Sequence, residues 1–394
     1  MNWNKSIWLA VALFTASVHV NAQDNLINAL KGNVSDNSRE GFTFTEVINL
    51  GTTSIKDQGS SGTCWSYSGN SFLESEMIRM GKQPVEISSI YTARNTYIEK
   101  AKNFVRLHGK QAQGDGGQLH DVLTIFRKCG AVPQEVYTGL QSDQMRNNFS
   151  EMSPILQGIT ETVAKSKKPS KNWITAFTSV MDSYLGEVPE SFQYRGKTYT
   201  PRTFADEVIG INPDDYIGIS SFEEHPYYKP FVLLIPDNWS FESFYNVQVN
   251  DLTDIIDNAL QNGYTIAWAT DVSEKSFSWK NGMAYIPEKP VEQMTAEEQE
   301  SMFNGPKSEP QTTPAQRQDA FDNYATTDDH GMHIVGAVKD QHGKEYYIVK
   351  NSWGESNDYK GYMYVTKEYV RYKTISLLLH KKALTKNMQS QLDI

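Results

Sequence analysis

Residues 58–65 read Gln58-Gly59-Ser60-Ser61-Gly62-Thr63-Cys64-Trp65, and the fold is read outward from them. Four small residues, Gly59 to Gly62, force a loop, and the loop delivers Cys64 to the start of a helical stretch, Cys64–Met80. The positive end of a helix favours a thiolate over a thiol, and the thiolate is the nucleophilic form. Six residues upstream, Gln58 carries an amide donor that can join the Cys64 backbone N–H in an oxyanion hole. A cysteine before a tryptophan can also be an ordinary core residue, so the reading depends on finding partners elsewhere.

Two later motifs supply them. Gly331-Met332-His333-Ile334-Val335-Gly336 places a histidine at the head of an apolar strand, where it can be held rigidly. Lys350-Asn351-Ser352-Trp353-Gly354 offers an amide to orient that imidazole, with Trp353 to cover the hydrogen bond. His330 competes with His333. It follows Asp328-Asp329 and reads as a polar loop residue, so His333 is taken as the base. Cys64, His333, Asn351 and Gln58 form the expected catalytic set, and Trp65 and Trp353 are expected among the substrate-binding residues. The set needs no metal or organic cofactor, and the cysteines and histidines show no zinc spacing.

Composition excludes other classes. The chain has 394 residues and a net charge of −10 without a basic cluster, which argues against nucleic acid as a partner. Cys64 and Cys129 are the two cysteines, and bonding them would abolish the nucleophile. Cys129 is therefore read as a buried free thiol. Ile7–Val20 is apolar, follows Lys5, and precedes Val20-Asn21-Ala22. This pattern predicts a secretory signal over residues 1–22 and a periplasmic or secreted mature protein with no membrane span after signal removal.

Further along, helices are expected over Ser88–Lys102, Leu119–Cys129, Asn148–Ser166, Trp173–Tyr184 and Val249–Asn262. Short apolar runs at Thr265–Ala269, His333–Val338, Glu345–Lys350, Gly361–Val365 and Ile375–His380 predict strands. Ser273–Thr327 is polar and poorly periodic, and reads as a surface excursion. Helices first and strands last indicate an α+β enzyme with its site between two lobes.

These motifs, in this order, resemble the papain family of cysteine peptidases. His333 lies much further from Cys64 than the roughly 130–150 residues usual there, which implies a large helical insertion. The match narrows to the bleomycin hydrolase and aminopeptidase C branch. It is carried by Asp115-Gly116-Gly117-Gln118, Cys129-Gly130-Ala131-Val132-Pro133, Gly186-Glu187-Val188-Pro189 and Asn351-Ser352-Trp353-Gly354-Glu355. Ser61 stands where the family's first cysteine would be.

The resemblance implies a papain-like fold with a helical lobe over residues 23–136, an insertion over 137–246, a β-rich lobe over 247–384 and a tail over 385–394. It also implies peptide substrates paired along Gly116 and Gly117, and homo-oligomers by analogy with ring-like hexamers. The branch uses its tail as an arm whose terminal carboxylate anchors the substrate's amino group. The tail here is short, so aminopeptidase action stands beside two alternatives: an open-cleft endopeptidase, or a non-catalytic peptide-binding scaffold.

Overall fold

The computed structural model describes residues 41–141 and 144–394; the expected signal segment lies outside them. Helix α1 (Cys64–Arg79) runs through the middle of the molecule. On it pack α2 (Ser89–Arg106) and α3 (Leu119–Cys129), and α4 (Met152–Ala164) and α5 (Asn172–Leu185) pack on α2 and on each other. Their ends follow local chemistry. Ser88 caps α2 by accepting from the Tyr91 N–H at 3.0 Å. Gln118 and Asp121 form a capping box at the start of α3. Gly130 closes α3 at φ +80°, where a Cβ would lie 2.2 Å from the Pro201 carbonyl oxygen.

The strands are β1 (Thr45–Asn49), β2 (Phe192–Tyr194), β3 (Lys197–Tyr199), β4 (Tyr216–Ser220), β5 (Pro230–Val232), β6 (Ser243–Asn246), β7 (Ile266–Thr270), β8 (Phe277–Ser278), β9 (Met283–Ala284), β10 (His330–Lys339), β11 (Glu345–Lys350), β12 (Tyr362–Thr366) and β13 (Thr374–His380). Eleven join one sheet in the order β5-β6-β4-β13-β7-β10-β11-β12-β9-β8, with β1 on β10; β2 and β3 form a separate hairpin. Strand β7 shows how the sheet holds two cores. Ala267 and Ala269 belong to the core on the side of α1 and α3, and Ile266 and Trp268 to the opposite core with α6 (Val249–Gln261). Alternation along a strand puts small residues toward α1 and large ones away from it.

The α+β papain-like architecture is as expected, but two segments differ from their reading. Residues 137–246 are not simply a helical insertion: β4, β5 and β6 extend the main sheet, with β4 pairing β13 from Ile219↔Leu377 to Tyr216↔His380. These strands are three to five residues long between turns, too short to show a period. Nor is 273–327 wholly a surface excursion, since Phe277, Trp279, Met283, Met302 and Arg317 are buried. Arg317 tolerates burial because its guanidinium donates to the Ser221, Arg371, Tyr372 and Thr374 carbonyls.

The tail folds back. Its helix, Lys386–Leu392, buries Met388 and Leu392 in the same core as α6. Among the described residues, no helix is long and apolar enough to cross a membrane.

Candidate active site

Cys64 is the first residue of α1, is buried and is not disulfide-bonded. At this position the first backbone N–H groups of a helix lack intrahelical partners and point outward. The loop before it is fixed on both sides. Gly59, at φ +65°, sits where a Cβ would lie 2.2 Å from the Asn147 carbonyl oxygen, and the Ser60 N–H donates to that same carbonyl at 2.9 Å. Ser61 uses its hydroxyl to donate to the Gln58 carbonyl at 2.8 Å and to bond Thr63 Oγ1 at 2.6 Å.

Asn351 settles which histidine faces the thiol side. Its Oδ1 accepts from the Ser352 N–H at 2.7 Å, which orients the amide, and lies 2.8 Å from His330 Nε2. His330 therefore donates from Nε2, leaving Nδ1 for proton exchange. Trp353 lies over the imidazole with ring centroids 4.5 Å apart, and Trp279 and Phe277 back it at 5.3 and 6.1 Å.

The expected base, His333, is elsewhere, and that expectation is corrected. His333 points to α1, where its Nδ1 bonds Ser71 Oγ at 3.0 Å, and it is fully buried. Burial, and then the nearby Lys350 charge, hold its pKa well below the usual value. The reason lies in strand parity. Residues 330 and 333 are three apart in β10, so they project to opposite faces. His330 is also no loop residue: it is buried and pairs with Thr270 of β7.

Gln58 is fully buried. Its Oε1 accepts from Ser352 Oγ at 2.7 Å and its Nε2 donates to the Ser61 carbonyl at 2.6 Å. An amide nitrogen carries two protons, so one remains for an oxyanion. A hydrogen-bonded chain thus runs Gln58–Ser352–Asn351–His330, and the intermediary Ser352 was not singled out from the sequence although it stands inside the Asn351 motif.

Cys64, Trp65, Gly116, Gly117, Asp237 and His330 line one cavity. Trp65 is almost wholly buried, donates from its indole nitrogen to the Asp115 carbonyl at 2.9 Å, and packs where a Gly117 Cβ would be 2.8 Å away. Lys100 Nζ holds the loop by donating to the Gly114 and Gly116 carbonyls. Trp353 does not line this cavity, where a substrate-binding residue was expected, but it does cover the His330–Asn351 bond, from the core side. Asp237 and Asp328 were missed by the sequence reading: Asp237 follows the apolar Leu233-Leu234-Ile235-Pro236 as an ordinary Pro-Asp turn would, and Asp328 stands in the polar run Thr326-Thr327-Asp328-Asp329.

The description "Peptidase C1-like family" matches residues 15–394. This chain belongs to the Peptidase C1-like family. Family members similar to it include aminopeptidase G of Lactobacillus delbrueckii subsp. lactis, 25% identical over 403 residues and covering 91% of this chain and 88% of the relative. Aminopeptidase C of Lactococcus lactis subsp. lactis (strain IL1403) is 22% identical over 376 residues, covering 86% and 83%. The crystal structure of PepW from Lactobacillus rhamnosis superposes with a TM-score of 0.68 at 21% identity, over 89% of this chain and 84% of that one. The C1-like fold of this chain is therefore shared with PepW.

Proposed function

We propose that this chain hydrolyses peptide bonds next to the free amino terminus of short peptides, through a thioester on Cys64. One observation carries the chemistry: His330, held by Asn351 at 2.8 Å beneath Trp353, lines the same cavity as Cys64. The aminopeptidase names of its relatives support the exopeptidase reading. In the proposed reaction the Cys64 thiolate attacks the scissile carbonyl carbon. The oxyanion is held by the Cys64 N–H and Gln58 Nε2, donors of a kind worth about 10²–10³ each in rate. His330 gives its Nδ1 proton to the leaving amine as the C–N bond breaks. It then takes a proton from water, which attacks the thioester and releases the acid and the thiolate.

The test pairs an aminoacyl fluorogenic amide bearing a free amine with the same amide inside an N-terminally blocked peptide. Hydrolysis of the free form alone is expected. It should vanish in Cys64→Ala, fall on the order of 10²–10⁴-fold in His330→Ala, and persist in His333→Ala. Turnover by Cys64→Ala would sink the acyl-enzyme, and cleavage of the blocked peptide would make the protein an endopeptidase. As part of the same reading, Ile7–Val20 and Ala22 direct export to the periplasm or medium, and the family resemblance implies a ring of copies. N-terminal sequencing of the mature protein checks the first, a start other than residue 23 counting against it. Sedimentation checks the second, and a monomer would exclude a ring.

A further inference from the structure

We propose that Asp237 is the specificity-determining residue of this site, its carboxylate receiving the α-ammonium of the substrate; this rests on the aminopeptidase reading. The argument begins with distance along the substrate. In an aminopeptidase the ammonium sits on the carbon adjacent to the attacked carbonyl, so its counter-charge must stand in the same cavity as the nucleophile. Asp237 lines the cavity that holds Cys64 and His330. Its carboxylate also lies against the backbone expected to pair with substrate. A Cβ at Gly116 would be 2.1 Å from Asp237 Oδ2 and 2.4 Å from Oδ1, so a larger residue there would displace the carboxylate.

The carboxylate is held in place. Its neighbour Asn238 is buried and donates from Nδ2 to the Leu233 and Glu242 carbonyls, both at 2.9 Å. The next residue, Trp239, is also buried, and its indole nitrogen donates to Asp121 Oδ2 at 2.8 Å. Asp237 thus stands on a loop anchored on its C-terminal side, which spares the cost of ordering it when a ligand binds.

The local field has the right sign. Asp328 lines the same cavity and accepts a hydrogen bond from Gln118 Nε2. Burial, with the Asp237 and Asp329 charges, raises its carboxyl well above the usual range. Asp121, behind Gly117, is pushed up to about 7 by burial, with Asp237 adding to the rise and Lys100 opposing it. An arriving ammonium relieves this repulsion. A blocked or internal peptide would instead place an uncharged amide, and the chain beyond it, against the carboxylate. The same residue therefore attracts one substrate and rejects the other.

The experiment is a cycle between residue and substrate in the full-length enzyme. Wild type and Asp237→Asn are each given an alanyl fluorogenic amide and its desamino analogue, the propionyl amide. In wild type, deleting the ammonium should lower kcat/KM on the order of 10- to 100-fold, the range of hydrogen bonds to a charged group. In Asp237→Asn the two substrates should differ by less than about threefold, and Asp237→Glu should recover part of the discrimination. Alkylation of Cys64 by iodoacetamide and a thermal unfolding curve establish that each variant is folded with an intact nucleophile. Discrimination retained in folded Asp237→Asn would overturn this inference and leave the aminopeptidase reading standing. A wild type that does not discriminate would overturn both.

Discussion

At the scale of single residues, His333 makes a measurable demand on the fold. It is fully buried, one nitrogen bonds Ser71, and Nε2 has no hydrogen-bond partner among the described residues. Its pKa is held well below 6.5 in the native state. An unfolded chain binds that proton near pH 6.5 and the native one does not, so stability is complete above 6.5 and declines as pH falls below it. Wild type should lose stability relative to His333→Gln between pH 7 and 5, by at most about 1.4 kcal/mol per pH unit. His120 and His380, also lowered by burial, contribute a background common to both proteins. Parallel denaturant midpoints for the two proteins across that range would refute the assignment. This residue also marks the limit of what the chain discloses in one dimension. Cys64, Gln58 and Asn351 each sit in a local motif whose chemistry is readable in place. Choosing between His330 and His333 requires knowing which face of β10 meets α1, and the polar neighbours of His330 hid the fact that the strand already includes it.

At the scale of elements, α1 departs from the usual one-faced pattern of a surface helix: all fourteen residues from Cys64 to Met77 are buried. Small polar side chains make this possible because each finds an internal partner. Ser66 donates to the Ser89 carbonyl at 2.7 Å, Ser75 to the Gly51 carbonyl at 2.9 Å, and Glu74 accepts from Lys56 at 2.8 Å and the Ile87 N–H at 2.7 Å. A hydrophobic period cannot reveal a helix buried in this way. Short residues also let β10 approach closely. A Cβ at Gly331 would lie 2.8 Å from Ser68 Oγ and 3.1 Å from the Trp65 α-carbon. Since Gly331 follows His330, Gly331→Ala must push His330, the proposed base, away from the helix that carries Cys64. Overpacking of this kind costs about 1–3 kcal/mol. The variant should unfold earlier and acylate Cys64 on the order of tenfold or more slowly, since small misplacements of reacting groups carry costs up to about 10²-fold. Calorimetry and single-turnover kinetics measure the two effects, and unaltered acylation would show that the lobes do not meet tightly at Gly331.

At the scale of the whole molecule, the two largest cores share one sheet, and Cys64 and His330 lie where they meet. The cavity draws Cys64 and Trp65 from α1, Gly116 and Gly117 from the loop before α3, Asp237 from the loop between β5 and β6, and His330 from β10. Residues 385–394 are absent from that lining; Met388 and Leu392 belong instead to the core that also holds Leu252, Ile256 and Leu384. The tail here acts through packing, and it is separable from selectivity. Met388→Ala and Leu392→Ala should each cost on the order of 2 kcal/mol, the low end for truncating a buried aliphatic side chain, because the helix lies at the rim of its core. The ratio of kcat/KM for free-amine over desamino substrate should remain at the wild-type value in both, because no cavity group moves. Denaturant titration gives the first quantity and the substrate pair the second. A folded double variant that has lost its preference for the free amine would place the ammonium anchor in the tail, and Asp237 would then be a bystander in the cleft.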